Sequence, residues 1–159
     1  MANLGVFRDE FYNSIHALTE AQANVGPTAT GVLSASIIAG AAECFTSVGG
    51  TSQTYTTDTA ANIIAQLQTA VATAQKANVG GFASALGSTP PLGVPNLFNM
   101  SWVLNINGQA TTAATLAGGT GVTLAAIGTL SPTVLNIAGE SVYVCTVTGP
   151  ASITMTRVQ

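Results

Sequence analysis

Residues 100–107, MSWVLNIN, alternate in character along the chain. Trp102, Leu104 and Ile106 fall on one side; Ser101, Val103 and Asn105 fall on the other. That two-residue period is the mark of a half-buried strand. Asn107-Gly108 follows, and an Asn-Gly pair after such a run predicts a hairpin turn. The same texture continues to the end of the chain. TTAATLAGG, GVTLAAIG, PTVLNIAG, SVYVCTVTG and SITMTRV are bounded by Gly, Pro or Ser at near-regular spacing. Short strands spaced in this way predict an antiparallel β-sandwich, jelly-roll-like, for the C-terminal half.

Upstream the period changes. In TSQTYTTDTAANIIAQLQTAVATAQ, residues 51–75, the stretch Thr54 to Thr57 is β-prone and Asp58 or Thr59 can cap a helix from about residue 60 to 76. Ile63, Ile64, Leu67 and Val71 form its apolar stripe, and the rest of its surface is Ala, Thr, Asn and Gln. So narrow a stripe makes a helix only against a partner surface. Earlier still, Ser34 can cap a short helical turn through Ile38 and Ala39, closed by Gly40. AECFTSV then reads as a strand and Gly49-Gly50 as a turn. The expected class is α+β, mainly β, with one main helix.

Two segments stand apart. In the first, Phe7, Phe11, Ile15 and Leu18 recur at helical spacing on one face, with Asp9 and Glu10 in the first turn. NVGP, residues 24–27, ends that pattern. The segment holds Arg8, Asp9, Glu10, His16 and Glu20, half of the chain's ionisable Asp, Glu, Lys, Arg and His residues. Residues 1–26 are therefore read as a helical arm, and residues 27–159 as the sandwich domain. The second is the Gly/Pro-rich loop 77–98, whose Phe82, Leu86, Leu92, Val94, Leu97 and Phe98 need burial. They either cover an open end of the sandwich or pack on a neighbouring subunit. Together with the arm's apolar face they make up the expected assembly interface. The competing reading of the arm is that it folds back on its own domain.

Composition narrows the class of function. Charged residues are 6% of the chain, against about 25% in ordinary soluble domains. Apolar residues are 47%, so the chain can build a core rather than remain disordered. A surface made of Thr, Ser, Asn, Gln, Ala and Gly offers little repulsion between copies, which points to life in an assembly. The alternative is an extracellular β domain with a neutral surface. Arg8, Lys76 and Arg157 are the only Lys or Arg residues, so no basic patch exists for a phosphate backbone. No run of about 18 apolar residues exists to span a bilayer. MANLGVFRDEFYNSIHALTE lacks the basic start and apolar core of an export signal, so synthesis in a cytoplasm is expected. Cys44 and Cys145 are accordingly expected as reduced, buried small hydrophobes.

The passages TYTTDTAANIIAQL, WVLNINGQATTAATLAGGTGVTL and SVYVCTVTGPASITM together resemble small structural proteins of tailed bacteriophages, the head decoration or head-fibre type. The resemblance spans about residues 33–158 and leaves the arm uncovered. It implies a capsid-surface protein of the virion, commonly a homotrimer, with the major capsid protein as partner. No catalytic residue comes with it.

The residues for chemistry are few. His16 is the only histidine, and no Gly-x-Ser-x-Gly exists. His16, Cys44 and Cys145 lack metal-ligand spacing. GGTGVTL leads into a β-run without a Lys, which makes it a turn rather than a phosphate cradle. Of the acids outside the arm, Asp58 is best read as a helix cap, and Glu43 and Glu140 border strands. Trp102 is read as core, with a carbohydrate platform as the other possibility. The reading is a non-enzymatic virion structural protein without cofactor or metal, binding neither nucleic acid nor membrane. The alternative is a host- or glycan-binding module of a phage fibre.

Overall fold

The computed structural model describes residues 23–24, 30–40, 43–45, 53–71, 96–108 and 114–159. Within them the chain is α+β and mostly strand. In order come β1 (Ala23–Asn24), β2 (Thr30–Leu33), helix α1 (Ala35–Gly40), β3 (Glu43–Phe45) and β4 (Gln53–Thr57). Helix α2 follows, described over residues 60–71. Then come β5 (Ser101–Asn107), β6 (Ala114–Ala117), β7 (Val122–Ala126), β8 (Glu140–Gly149) and β9 (Ser152–Arg157). Among the described residues they form a sheet in the order β1-β3-β5-β8-β9-β7 and a second in the order β2-β4-β6.

From β1 to β7, successive strands alternate between the two sheets. In the larger sheet β3 lies parallel to β1 and β5 parallel to β3. In the smaller, β4 lies parallel to β2 and β6 parallel to β4. The chain thus winds as three stacked rungs, each giving one strand to each sheet, with α1 and α2 in the connections. Past the third rung the direction reverses. β8 runs antiparallel to β5, and β9 antiparallel to β8, while β7 lies parallel to β9. On the smaller sheet, Thr115 bridges Val134 in antiparallel sense, with Leu116 N–H donating to Thr133 O and Leu135 N–H to Ala114 O.

The expected antiparallel pairing is found for β5, β8 and β9 and is corrected elsewhere: β2, β4 and β6 pair in parallel, as do β1, β3 and β5 and also β7 and β9, so the larger sheet is mixed. Alternation reveals that a strand has one buried face; it carries no information about a neighbour's direction. A strand that returns after an excursion through the other sheet comes back pointing the same way. Asn107-Gly108 is corrected for the same reason. β5 pairs with β3 and β8, and β6 belongs to the other sheet, so the dipeptide marks an exit and not a hairpin. Gly108 is required by crowding: a Cβ there would lie 2.0 Å from the Asn136 carbonyl oxygen. The tight hairpin is instead β8 to β9, closed where Gly149 faces Ser152. PTVLNIAG is no strand beyond the single bridge at Val134; it is a loop that buries Leu135.

The helices form where their caps sit. Ser34 Oγ accepts the Ile37 N–H at 3.4 Å, and Ser34 O accepts the Ile38 N–H at 3.1 Å to open α1. Thr59 Oγ1 accepts the Asn62 N–H at 3.2 Å, which makes Thr59 the cap of α2. The stripe Ile63, Ile64, Leu67 and Val71 is buried. Burying four such side chains contributes about 6–12 kcal/mol before conformational entropy is counted. They join Leu33, Tyr55 and Leu116 of the smaller sheet and Leu104, Tyr143 and Met155 of the larger in one core. Trp102 packs half-buried against it, as expected for an inward strand position, and its indole N–H donates to Ile38 O at 2.7 Å.

Residues 1–22 of the arm, the loop up to residue 95 and the expected end of α2 near residue 76 lie outside the described residues. Ala23 and Asn24, placed by the sequence at the end of the arm, pair with Cys44 and Phe45 in the larger sheet. Cys145 is a free, buried thiol. The register explains why no bridge to Cys44 forms. Cys44 faces Ile106 and Cys145 faces Trp102, so they flank β5 four residues apart along it. That is roughly 13 Å of strand, against a Cα separation of about 7 Å at most for a disulfide.

Candidate functional site

Among the described residues, one candidate surface is the outer face of the larger sheet. Leu104, Ile106, Tyr143, Cys145, Ile153 and Met155 point into the core, so the alternate residues point out. The register lines them into rows. Ser101 faces Thr146, Thr146 faces Thr154, and Thr154 faces Thr123. The next row is Val103, Val144, Thr156 and Ala125. Ser101 Oγ and Thr146 Oγ1 lie 2.8 Å apart, which ties the hydroxyl row together. Val103 is 53% exposed at the centre of the face. Neither row contains a charged side chain; Glu140, opposite Asn107, stands at the end of β8.

At one rim the connection between β7 and β8 exposes Ile127, Leu130, Val134 and Ile137. Arg157 holds this loop in place from beneath. Its side chain is 4% exposed and donates to Ser131 O at 2.9 Å, to Val134 O, and to Asn136 Oδ1 at 2.6 Å. Its Nε donates to the main-chain oxygen of Gln159 at 2.9 Å. Asn136 N–H in turn donates to Ser141 Oγ at 2.8 Å, and Tyr143 O–H to Pro132 O at 2.9 Å. A buried guanidinium is tolerated because oxygens satisfy its donors. Burial pushes the Tyr143 hydroxyl up to about 12, with the charge of Arg157 pulling the other way. Burial likewise pushes the Cys145 thiol up to about 12, so it is neither nucleophile nor ligand at neutral pH.

Asp58 sits where the rungs turn. Its N–H donates to Leu33 O at 2.9 Å, and its Oδ2 accepts the Ala35 N–H at 3.1 Å. Its Oδ1 accepts from the Asn62 side chain at 2.8 Å and from the Thr59 N–H at 2.7 Å. The Asn62 bond, helped by the Thr59 and Ala35 N–H groups against a smaller effect of burial, holds the carboxyl below its usual range. Asp58 thus joins the starts of both helices, where the sequence offered it as a cap of one. GGTG, residues 118–121, closes over the same corner. Thr120 O accepts the Ala60 N–H at 2.9 Å, and Gly119 N–H donates to Thr57 Oγ1 at 2.7 Å. The start of α2 is filled by protein groups, in keeping with a turn rather than a phosphate cradle.

A cavity of about 340 Å³ lies beside α2, lined by Ile64, Gln68, Leu97, Phe98 and Val147 among others. Among the described residues its lining has no ionisable side chain. Among the described residues no three His, Cys, Asp or Glu residues group to hold a metal ion, and no helix is long and apolar enough to cross a membrane.

Of the expected interface residues, Phe7, Phe11, Ile15, Leu18, Phe82, Leu86, Leu92 and Val94 lie outside the described residues. Leu97 is buried in the chain's own core, and Phe98 is 60% exposed beside it. Sequence reasoning missed the outer rows and the Arg157 loop. The inward register of Ile153, Met155 and Arg157 was the available signal. Comparison with family models, with curated proteins and with solved structures finds no match for the chain.

Proposed function

We propose that the protein is a non-enzymatic structural component of a bacteriophage virion, decorating or cementing the outside of the capsid. The observation that carries this reading is the pair of Ser/Thr and Val/Thr rows aligned across the outer face of the larger sheet, neither of which holds a charged side chain. Such rows lack the charge that keeps soluble proteins apart and suit burial against another subunit. The sequence's resemblance to head decoration proteins supplies the particle, the homotrimeric state and the major capsid protein as partner. The two sheets form the layers of a sandwich around the shared core, and the stacked rungs give a rigid body for the surface of a shell. Mass spectrometry of purified particles tests the reading. The chain should be present in many copies; its absence from particles, with the protein found only in the lysate, would overturn it.

A further inference from the structure

We propose that Asn107-Gly108 is a self-modifying site, and that the loop of residues 136–139 holds it shut in the folded chain. Asn107 ends β5 and no hairpin follows, so turn formation does not account for the pair. Its chemistry is an attack of the Gly108 main-chain nitrogen on Asn107 Cγ. The new C–N bond closes a five-membered succinimide ring, the nitrogen gives up its proton to solvent, and the side-chain amide takes up a proton and leaves as ammonia. Water then opens the ring at either carbonyl. The product is aspartate at 107, or isoaspartate with an extra methylene in the main chain. Asn before Gly is the pair most open to this reaction, because glycine has no Cβ to crowd the attacking nitrogen.

The fold both requires this glycine and silences its nitrogen. A Cβ at residue 108 would run into the Asn136 carbonyl oxygen, so glycine is the residue that fits. Gly108 is buried, and its N–H donates to Gly139 O at 2.7 Å. Asn107 is extended strand opposite Glu140, and the ring fixes a main-chain angle at residue 107 that an extended strand lacks. Attack therefore waits until the end of β5 parts from the loop. The loop is held in turn by Asn136, whose side-chain amide donates to Glu140 O and whose Oδ1 accepts from Arg157 at 2.6 Å. Asn136 is thus a positioning residue that acts through the loop. The product does not fit back. Residue 107 lies directly opposite Glu140, and a carboxylate there sets like charges against each other. A copy that opens is marked, and a copy that stays closed is not. The inference rests on these contacts and does not require the capsid reading.

The test is peptide mass spectrometry of the full chain after incubation in weakly alkaline buffer, folded and in guanidinium chloride. Conversion at Asn107 should be at least about tenfold slower in the folded chain, since a paired strand end opens only against part of the global stability. In the unfolded chain Asn107 should convert ahead of Asn105, which precedes Ile106. Asn136→Ala should speed conversion in the folded chain by about threefold or more, and Thr59→Ala, which weakens the start of α2, should not. Asn107→Asp should lower the melting temperature, and Glu140→Gln should restore part of the loss. Equal rates in the folded and unfolded chains, or no conversion in either, would overturn the proposal. So would an effect of Asn136→Ala no larger than that of Thr59→Ala, since global unfolding and not the loop would then set the rate. An Asn107→Asp chain that melts with the wild type would overturn it as well, because the product would then fit the closed state.

Discussion

Arg157 shows how one side chain can hold a surface in place. Its buried guanidinium donates to the carbonyls of Ser131 and Val134 and to the amide oxygen of Asn136 in part-buried hydrogen bonds. Arg157→Met keeps much of the volume and strands those acceptors. A hydrogen bond to a charged group contributes about 1.5–3 kcal/mol, less where water can reach the freed acceptor, so a loss of about 2 kcal/mol or more is expected in urea unfolding. Ala138, in the same loop, adopts φ 46°, a conformation that disfavours a side chain. Ala138→Gly should stabilise the protein by up to about 1 kcal/mol in the same measurement, the gain reduced by the greater freedom of glycine in the unfolded chain. Cys145 was legible as a buried thiol because it sits inward in an alternating run. The role of Arg157 was not, because a lone Arg near the end of a strand reads as solvated until its register places it inside.

The elements were legible where local chemistry alone forms them. Ser34 and Thr59 cap helices close to the positions their sequence indicates, and the stripe from Ile63 to Val71 is the buried face of α2. Thr59→Ala should cost about 1 kcal/mol in thermal or urea unfolding. Gly119→Ala should cost more, at least about 2 kcal/mol, for a reason no local rule supplies. A Cβ at residue 119 would lie 2.4 Å from Thr57 O and 2.6 Å from Asp58 O, both main-chain atoms that cannot retreat cheaply. Strand partners were illegible for a related reason. Thr54 faces Thr115, yet the chain reaches one from the other only after passing through the larger sheet. Periodicity within MSWVLNIN assigns the inward side of β5 and is silent on β3 and β8 as its neighbours. The outer rows follow from that pairing, which is why the candidate surface emerged from the register and not from the residues.

For the whole molecule, the ionisable groups set a pH window. The folded Asp58 carboxyl is lowered, so its contribution is present above the carboxylate range and is lost as pH falls through the folded value. Tyr143 and Cys145 are raised from ordinary values near 10 and 9 to about 12. Their contribution is complete below the ordinary values and is lost as pH rises towards 12. The melting temperature should therefore be flat from weakly acidic pH to about pH 9 and fall on both sides, more gently on the acid side where Asp58 is partly solvated. A melting temperature that rises between pH 9 and 11 would contradict the placement of both buried groups. Such tolerance of pH, in a chain with 6% charged residues, suits the proposed place among other subunits.

That role is tested most directly by adding the purified protein to particles from a virus lacking its gene and imaging them by cryo-electron microscopy. The account predicts added density on the outer surface of the shell, in threefold groups, with the outer face of the larger sheet against a neighbouring subunit. Particles that stay bare at saturating protein, with all of it left in the supernatant, would contradict it.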